Sequence, residues 1–471
     1  MRRLKSRALA MLGLGYLTTL GIGCGTTEPE TLTIPIGAVI DRTGTLAATS
    51  WVDAATLAVS DANQALEQSG RVLRFKLQLS DSTNTPKVAI QRALELVQQK
   101  GVRGIITDSS QDDIALNSLF YDADTTNDLN VPIVCMACTS PAINNPLSVN
   151  AADAVNQATL RNSLHWNFRA LMDAMPQAKV FVRIAQGKAE NGDVNGDKLF
   201  KLTVYYSDEA FGRGFADALK ITVAALALPI PATVELIPHP ATADPNVYDW
   251  ASDVKRCVDD NNETTMTKDG VPDLVSFVTF PQYVSSLSKS YGISGNGVPV
   301  LHTHVTRFPS VLRVAGSSLA GQEGTSHIAL ETGPSGSAFA AGLRAVTGLE
   351  PQFLDSNTYD GTVALLLATA YASRKLADPT TVTGAQVREA MSAVSDPKGT
   401  IVRTGPAELA KAFDLIAADK PINYEGASGP LDFSTEGNVI NRLVLWRASS
   451  SAFVEQSTYD CVSNPDCPKL P

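Results

Sequence analysis

The stretch LRFKLQLSDSTNTPKVAIQRALELVQQKGVRGIIT, Leu73–Thr107, holds the pattern of a strand, a helix and a second strand. Its opening LRFKLQL alternates between apolar and polar residues, which is typical of a strand with one buried face. Pro86 then stands in the first turn of a helical pattern, where a proline is tolerated because that N–H has no helical partner. A helix of this length between two strands indicates parallel pairing through a crossover. We therefore predict an α/β fold with largely parallel sheets flanked by helices.

The same alternation of strand and helix patterns runs along most of the chain. The first series includes the apolar strands IPIGAVI and VPIV, and a polar segment at 185–198 ends it. The second series includes the strand patterns KLTVYYSD, DLVSFVTF and VPVLHTHV, separated by helical patterns. Two similar series in a chain of 471 residues predict two lobes of one architecture.

The N-terminal segment predicts export. Residues 1–23 carry four positive charges, no acid and an apolar run that is short for a membrane span, which needs about 20 apolar residues. We predict a signal peptide at 1–23, and its removal lowers the net charge from −10 to −14. An acidic mature chain argues against nucleic acid as a partner, because phosphate backbones are bound by Lys and Arg. The richest later apolar run, Thr362–Ala372, has the length of a buried helix.

Four further stretches, taken in order, resemble one protein family. They are IGAVIDRTG (Ile36–Gly44), VPIVCMACTSP (Val131–Pro141), NTYDGTVALLLATA (Asn357–Ala370) and GASGPLDFSTEGN (Gly426–Asn438). In sequence, order and spacing they resemble the type I periplasmic binding proteins, specifically the leucine-binding (branched-chain amino acid) family that feeds ABC transporters. The resemblance extends from Leu32 to about Arg447.

The resemblance implies two α/β lobes, joined by three hinge crossings, that close on a ligand between them. Lobe 1 would comprise 32–169 and 325–428, lobe 2 would comprise 170–324 and 429–450, and 451–471 would form a C-terminal tail. The implied function is capture of a small organic ligand, an amino acid, carboxylate or amide, for an ABC permease. The alternative is a sensor that reports its ligand to a membrane partner without transport. We do not expect an enzyme, because no nucleophile elbow or phosphate-binding loop stands between a strand and a helix.

The signal peptide ends in LGIGC, which resembles the lipobox of bacterial lipoproteins. Gly21 stands where that motif usually has leucine. Lipidation of Cys24 after cleavage would anchor the protein to the cell envelope, on the periplasmic side, through a polar tether at 24–31. The alternative is an ordinary signal peptide and a free periplasmic protein in which Cys24 is unmodified.

The resemblance also implies where lobe 1 contacts the ligand. After GIIT, relatives bind the ligand carboxylate with a hydroxyl and backbone N–H groups, which suggests Ser109, Ser110 or Gln111. After VPIV, Thr139 matches a carboxylate-binding threonine, and Ala137 matches a residue whose carbonyl accepts the ligand ammonium. The alternative role for these serines is a helix cap, and for Thr139 a cap or a turn.

Four more residues complete the predicted site. Trp51 would lie at the mouth, with packing as its alternative role, and Phe211 and Phe280 match positions where relatives often have tyrosine. His304 matches an acid that pairs the ammonium in amino-acid-binding relatives. Because a neutral imidazole can accept only one hydrogen bond, we expect a carboxylate without an α-amino group to bind better than leucine.

The later cysteines predict one disulfide. Cys461 and Cys467 close a short loop, and in an exported protein we expect them to pair. The pairing of Cys135, Cys138 and Cys257 stays open at this point.

We expect neither a cofactor nor a metal. Asp193, Asn195 and Asp197 resemble the start of a calcium loop, but the glycine and closing glutamate of such loops are missing. His302 and His304, two apart in a predicted strand, would need a third ligand to hold zinc.

Overall fold

The computed structural model of the chain describes residues 30–44, 46–121, 126–143, 165–262, 267–328 and 330–471. The predicted signal peptide, Cys24 and all but the end of the tether lie outside these residues. Within them, two main sheets of largely parallel strands are flanked by helices, which confirms the predicted fold class.

The first sheet is built from the N-terminal third of the chain. Its strands are β1 (Leu32–Ile40), β2 (Leu73–Asp81), β3 (Ile105–Thr107), β4 (Ile133–Cys135) and β5 (Asn167–Arg169). They are all parallel and lie in the order β2-β1-β3-β4-β5. The connecting helices are α1 (Thr49–Gln68), α2 (Pro86–Lys100), α3 (Ser110–Leu116) and α4 (Ser118–Tyr121). Pro86 begins α2 and Gly101 ends it with a φ of 63°, as expected for the strand–helix–strand unit at Leu73–Thr107.

The second sheet takes its strands from two separate parts of the chain. In chain order the next strands are β6 (Phe200–Ser207), β7 (Ala232–His239), β8 (Asn261–Asn262), β9 (Thr267–Lys268), β10 (Leu274–Val278), β11 (Val300–His302), β12 (Glu323–His327), β13 (Thr400–Val402), β14 (Ile422–Gly426), β15 (Gly429–Pro430), β16 (Leu443–Ala448) and β17 (Phe453–Tyr459). The second sheet has the order β17-β16-β12-β11-β10-β6-β7, in which β16 is antiparallel to its neighbours β12 and β17 and the other pairs are parallel. β13, β14 and β15 form a small sheet, and β8 pairs with β9.

Helices cover both sheets. Those within the second lobe are α5 (Ala174–Gln186), α6 (Ala210–Ala224), α7 (Trp250–Cys257), α8 (Pro281–Ser294) and α9 (Pro309–Ala315). Those that return to the first lobe are α10 (Pro334–Thr347), α11 (Asp355–Ser373), α12 (Gly384–Val394) and α13 (Pro406–Ala417). α11 is buried along almost its whole length, as its apolar run predicts. Among the described residues, none of the helices combines the length and the apolar character that crossing a bilayer requires.

Each main sheet has its own apolar core, and the chain passes between the two cores three times. It crosses after Arg169, at the end of β5, and again after His327, at the end of β12. The third crossing lies between Val439, which packs in the first core, and Leu443, which packs in the second.

Three boundaries differ from the expected ones. The third crossing lies after Val439 and not at 428–429, because Leu431 and Val439 pack in the first core. β12 belongs to the second sheet through His327, whereas the expected end of that part of lobe 2 is at 324. β17 lies in the expected tail at 451–471 but pairs with β16 and extends the second sheet. Local pattern did not reveal this pairing, because an edge strand is defined by the partner that it meets in the folded chain.

The remainder of the tail is attached to the second lobe. A disulfide joins Cys461 to Cys467, and Cys467 packs in the second core. The Lys179 ammonium group, on α5, donates to the carbonyl oxygen of Pro465 at 3.0 Å. The end of the chain is therefore part of the folded domain.

Candidate functional site

A narrow cavity of about 30 Å³ lies where loops of the two lobes face each other. From the first lobe, its lining comes from the segments that follow β1, β2, β3 and β4, and from the start of α11. From the second lobe, it comes from the segments that follow β6, β10 and β11. These are the carboxyl ends of parallel strands, where ligands bind in open α/β sheets.

The structure brings most of the predicted site residues to this cavity. Those that line it are Trp51, Ser109, Ser110, Gln111, Ala137, Phe211, Phe280 and His304. Thr139 lies outside the lining, and its contact with a ligand stays a prediction. The lining residues that were not predicted are Leu46, Asn84, Asp108, Glu209, Val305, Phe308 and Leu354.

Thr139 is turned into the first lobe. Its side chain is fully buried, and its N–H donates to the hydroxyl of Ser110 at 3.2 Å. Its carbonyl oxygen accepts the N–H of Ala174, the first residue of α5, at 2.8 Å. Both backbone groups thus hold the connection into the second lobe and are not available to a ligand.

The loop after β3 is held by its own hydrogen bonds. Ser109 caps α3 by accepting the N–H of Asp112 at 3.3 Å, which is the alternative role considered for it. The hydroxyl oxygen of Ser110 accepts the N–H groups of Thr139 and Ser140, each at 3.2 Å. The Gln111 amide donates to the carbonyl oxygen of Asn84 at 2.6 Å.

The loop after β4 is closed by a disulfide. Cys135, the last residue of β4, is joined to Cys138, so the ring contains the cavity residue Ala137. Cys257 is buried and is not part of either disulfide among the described residues. Among the described residues, the group with metal-ligand proximity is Asp113 with Cys135 and Cys138, but the disulfide removes the two thiolates that a metal would need.

Aromatic rings wall the cavity from both lobes. Trp51 at the start of α1 is 1 % exposed, and its indole N–H donates to the carbonyl oxygen of Phe353 at 3.3 Å. Its ring faces Phe308 of the second lobe, with 6.0 Å between centroids. Phe211 and Phe280 form a second pair at 5.8 Å. Trp51 therefore both packs in the first core and lines the cavity.

His304 is held in one tautomer. Its Nδ1 lies 3.0 Å from the amide oxygen of Gln177, whose NH₂ group donates to the carbonyl oxygen of Thr325 at 3.1 Å. Because that carbonyl can only accept, the Gln177 oxygen must face His304, and Nδ1 must carry the proton. Burial lowers the pKa of His304 to about 3, so the ring is neutral and keeps a lone pair on Nε2.

His302 and His304 do not act together, contrary to the zinc alternative. β11 ends at His302, and His304 opens a 3-10 turn, so the two side chains are not on one face of a strand. His302 pairs instead with the amide oxygen of Gln322 at 2.6 Å. The calcium-like segment is also a turn, in which the Asp193 carboxylate accepts the N–H of Gly196 at 2.7 Å.

Two acids face the cavity from opposite lobes. Asp108 is 1 % exposed, and its Oδ2 accepts the N–H of Asp41 at 2.7 Å. Its other oxygen, Oδ1, has no hydrogen-bond partner among the described residues. Burial, and then the nearby Asp112, raise the pKa of Asp108 well above its usual value. Glu209 caps α6 by accepting the N–H groups of Phe211 and Gly212, and burial raises its pKa to about 7.

These acids could be partly anticipated from sequence. Asp108 directly follows β3, and the sequence already shows several acids near the expected anion site. Glu209 immediately precedes α6, which is a capping position, but a cap signal does not distinguish an acid at a cavity from one on the surface.

The sequence model of the family described as Periplasmic binding protein matches residues 33–410. The chain belongs to this family. Among solved structures, a leucine-binding protein from Thermotoga maritima is 14% identical, with a TM-score of 0.61 over 90% of this chain and 98% of that one. A branched-chain amino acid transporter substrate-binding protein from Streptococcus pneumoniae, in complex with isoleucine, is 12% identical, with a TM-score of 0.59 over 90% and 100%.

A further periplasmic-binding-protein relative has a different ligand. The solute-binding protein of an ABC transporter from R. palustris, in complex with benzoate, is 14% identical, with a TM-score of 0.62 over 93% of this chain and 97% of that one. No curated protein sequence matches the chain. At these identities the structural likeness shows the type I fold, as the order of motifs predicts.

Proposed function

We propose that the protein is an extracytoplasmic solute-binding protein of an ABC-type importer, which binds a small organic molecule between its two lobes. The observation that carries this proposal is the cavity itself, which is lined by strand ends of both lobes. Three segments of the chain connect these lobes. A ligand that contacts both lobes stabilises the closed form by its higher affinity for that form.

The family and the neighbouring structures support import. The neighbours named above are a leucine-binding protein, a transporter substrate-binding protein in complex with isoleucine and an ABC transporter solute-binding protein in complex with benzoate. No contact among the described residues favours the sensor alternative.

Binding is tested with the purified mature chain. A thermal-shift screen of amino acids, amines, carboxylates and amides should give at least one compound that raises Tm, because a ligand specific for the native state stabilises it. Small-angle scattering with that compound should show a smaller radius of gyration, as lobe closure requires. If no small molecule changes either quantity, solute binding is wrong.

Import is tested in cells. Deletion of the gene should abolish uptake of the radiolabelled ligand, and a plasmid copy should restore it. Unchanged uptake together with loss of a transcriptional or chemotactic response would instead establish the sensor.

We also propose lipid anchoring at Cys24, since a binding protein without a membrane span needs another means to stay near its permease. The Cys24→Ala variant should lose labelling by a fatty-acid probe and should be released from the membrane fraction. Equal labelling of the wild type and Cys24→Ala would contradict this proposal and leave the binding function unaffected.

A further inference from the structure

The polar groups around the cavity mainly accept hydrogen bonds. Asp108 has a buried carboxyl oxygen, Oδ1, that no described residue contacts through a hydrogen bond. The Gln177 amide fixes the proton of His304 on Nδ1, so the remaining nitrogen, Nε2, is an acceptor. The NH₂ group of Gln111 is already used by the backbone and side-chain oxygens of Asn84.

Apart from the neutral His304, the described ionisable side chains that line the cavity are carboxylic acids, whose pKa values are raised by burial. Asp108 and Glu209 line it from opposite lobes, and none of the described lining residues is Lys or Arg. Asp41, Asp112 and Asp113 are also buried, and each raises the pKa of Asp108.

The nearest buried cation does not compensate these acids at the cavity. Arg169 is fully buried, interacts electrostatically with Asp173 and Asp113, and lies outside the lining. Ser109 and Ser110 keep hydroxyl protons to donate, but a carboxylate placed here would meet two carboxyl groups and no cationic side chain. Burying an unpaired anion in this way is strongly unfavourable.

The apolar part of the lining is suited to the opposite charge. Trp51 and Phe308 on one side, and Phe211 and Phe280 on the other, present aromatic rings beside the acids. The face of an aromatic ring carries negative electrostatic potential, which attracts an ammonium group. Aromatic rings together with an unpaired carboxyl oxygen form the environment in which proteins hold amines.

We propose that the ligand is a small organic cation, a protonated amine on an apolar or aromatic body, that places its N–H groups on Asp108 Oδ1 and lacks a carboxylate. This inference rests on the proposed function. It replaces the expectation, drawn from Thr139 and His304, that a carboxylate is preferred. The ammonium group would supply the donor that Asp108 lacks and would hold that carboxyl group in its ionised form.

The test uses probes of one shape and three charges on the full mature chain. Calorimetry with benzylamine, benzyl alcohol and benzoate should rank benzylamine first, about tenfold or more ahead of benzyl alcohol, with benzoate last. Leucine should bind more weakly than isoamylamine, which has the same body without the carboxylate. If benzoate binds more tightly than benzylamine, or leucine more tightly than isoamylamine, the cation assignment is overturned while solute binding stands. If none of these probes binds, the assignment is also overturned, and the wider screen decides the proposed function separately.

Two matched variants locate the contact. Asp108→Asn keeps an oxygen for the N–H of Asp41, yet it should lower the affinity for benzylamine about tenfold and that for benzyl alcohol by less than about threefold. Asp273→Asn also removes a buried carboxyl group, but one that lies outside the lining and is not among the groups that shift the pKa of Asp108, so it should leave the ratio of the two affinities unchanged. An equal change of the ratio in both variants would overturn the assignment of Asp108. If Asp108→Asn does not fold, the wild-type ranking still decides the charge of the ligand.

Discussion

The carboxylate of Asp360 accepts both the backbone N–H and the hydroxyl of Ser428, each at 2.6 Å. Its other oxygen accepts the hydroxyl of Tyr424 at 2.8 Å and the N–H of Ala427 at 3.0 Å. One fully buried side chain of α11 thus holds the turn between β14 and β15. A Cβ at Gly426 would collide with this carboxylate, so the glycine of the motif GASGPLDF leaves room for it. Two of the stretches that indicate the family meet at this point.

Asp360→Ala should therefore destabilise the fold. Removing the acceptor leaves four donors in a buried region, and each unsatisfied buried group costs about 1–3 kcal/mol. We expect a loss of at least about 3 kcal/mol in the free energy of unfolding, measured by urea denaturation. Asp414→Ala, which removes a carboxylate from the surface, should change it by less than about 1 kcal/mol. A small effect at Asp360 would show that water can replace its bonds.

Removing the two disulfides should have different consequences. In the chain-entropy description each short ring contributes roughly 2 kcal/mol to stability. The double variant Cys135→Ser with Cys138→Ser should lower both Tm and ligand affinity, because this ring carries Ala137 of the cavity. Cys461→Ser with Cys467→Ser should lower Tm alone, since that ring lies in the tail. The measurements are calorimetric Tm and the Kd of the best ligand from the screen, and a reversed pattern would contradict the assignment of the cavity.

Gln177→Leu should allow the His304 imidazole to carry its proton on either ring nitrogen. The substitution leaves Nδ1 of a buried imidazole without its acceptor, which should cost about 1–3 kcal/mol of stability and weaken ligand binding. Gln322→Leu breaks the analogous bond to His302, which does not line the cavity. It should cause a similar loss of stability with ligand affinity unchanged, and equal losses of affinity in both variants would speak against a contact of His304 with the ligand.

Stability should depend on pH through Asp113. Burial raises the pKa of this carboxyl group to about 7, although the Thr107 hydroxyl and Arg169 act in the opposite direction. Between pH 4 and 7 the folded protein then keeps a proton that the unfolded chain, with an Asp pKa of about 3.9, has lost. The contribution of Asp113 to stability should therefore fall as pH rises through this range, by up to about 1.4 kcal/mol per pH unit.

The difference between wild type and Asp113→Asn isolates this contribution. The buried histidines His239, His302 and His304, whose lowered pKa values act in the opposite direction, are present in both proteins and cancel. Unfolding free energies from urea titrations at several pH values should show the wild type losing stability relative to Asp113→Asn from about pH 4 to 7. A constant difference, as expected for the exposed control Asp414→Asn, would mean that Asp113 is ionised throughout.

The sequence by itself determined the order of strands and helices along the chain, the parallel pairing and the loops that meet at the cavity. These follow from local patterns, because hydrophobic periodicity reports which face of an element is buried and a crossover helix requires parallel strands. Trp51, Ser110 and Phe211 reach the cavity because each lies in the first turn of a helix that follows a strand, and the strand ends of one sheet lie together.

Only the tertiary structure decided which polar groups near the cavity keep a hydrogen-bonding atom without a partner in the protein. The proton of His304 is placed by Gln177, 127 positions away, and Thr139 is withdrawn from the cavity by Ser110 and Ala174. Asp108 is left with an unpaired oxygen because the folded chain buries it without bringing a donor. Residue type and spacing along the sequence locate a site. Hydrogen-bond partners and burial depend on contacts between distant segments, so the charge of the ligand that fits and the donors that the site accepts are set only when the lobes are assembled.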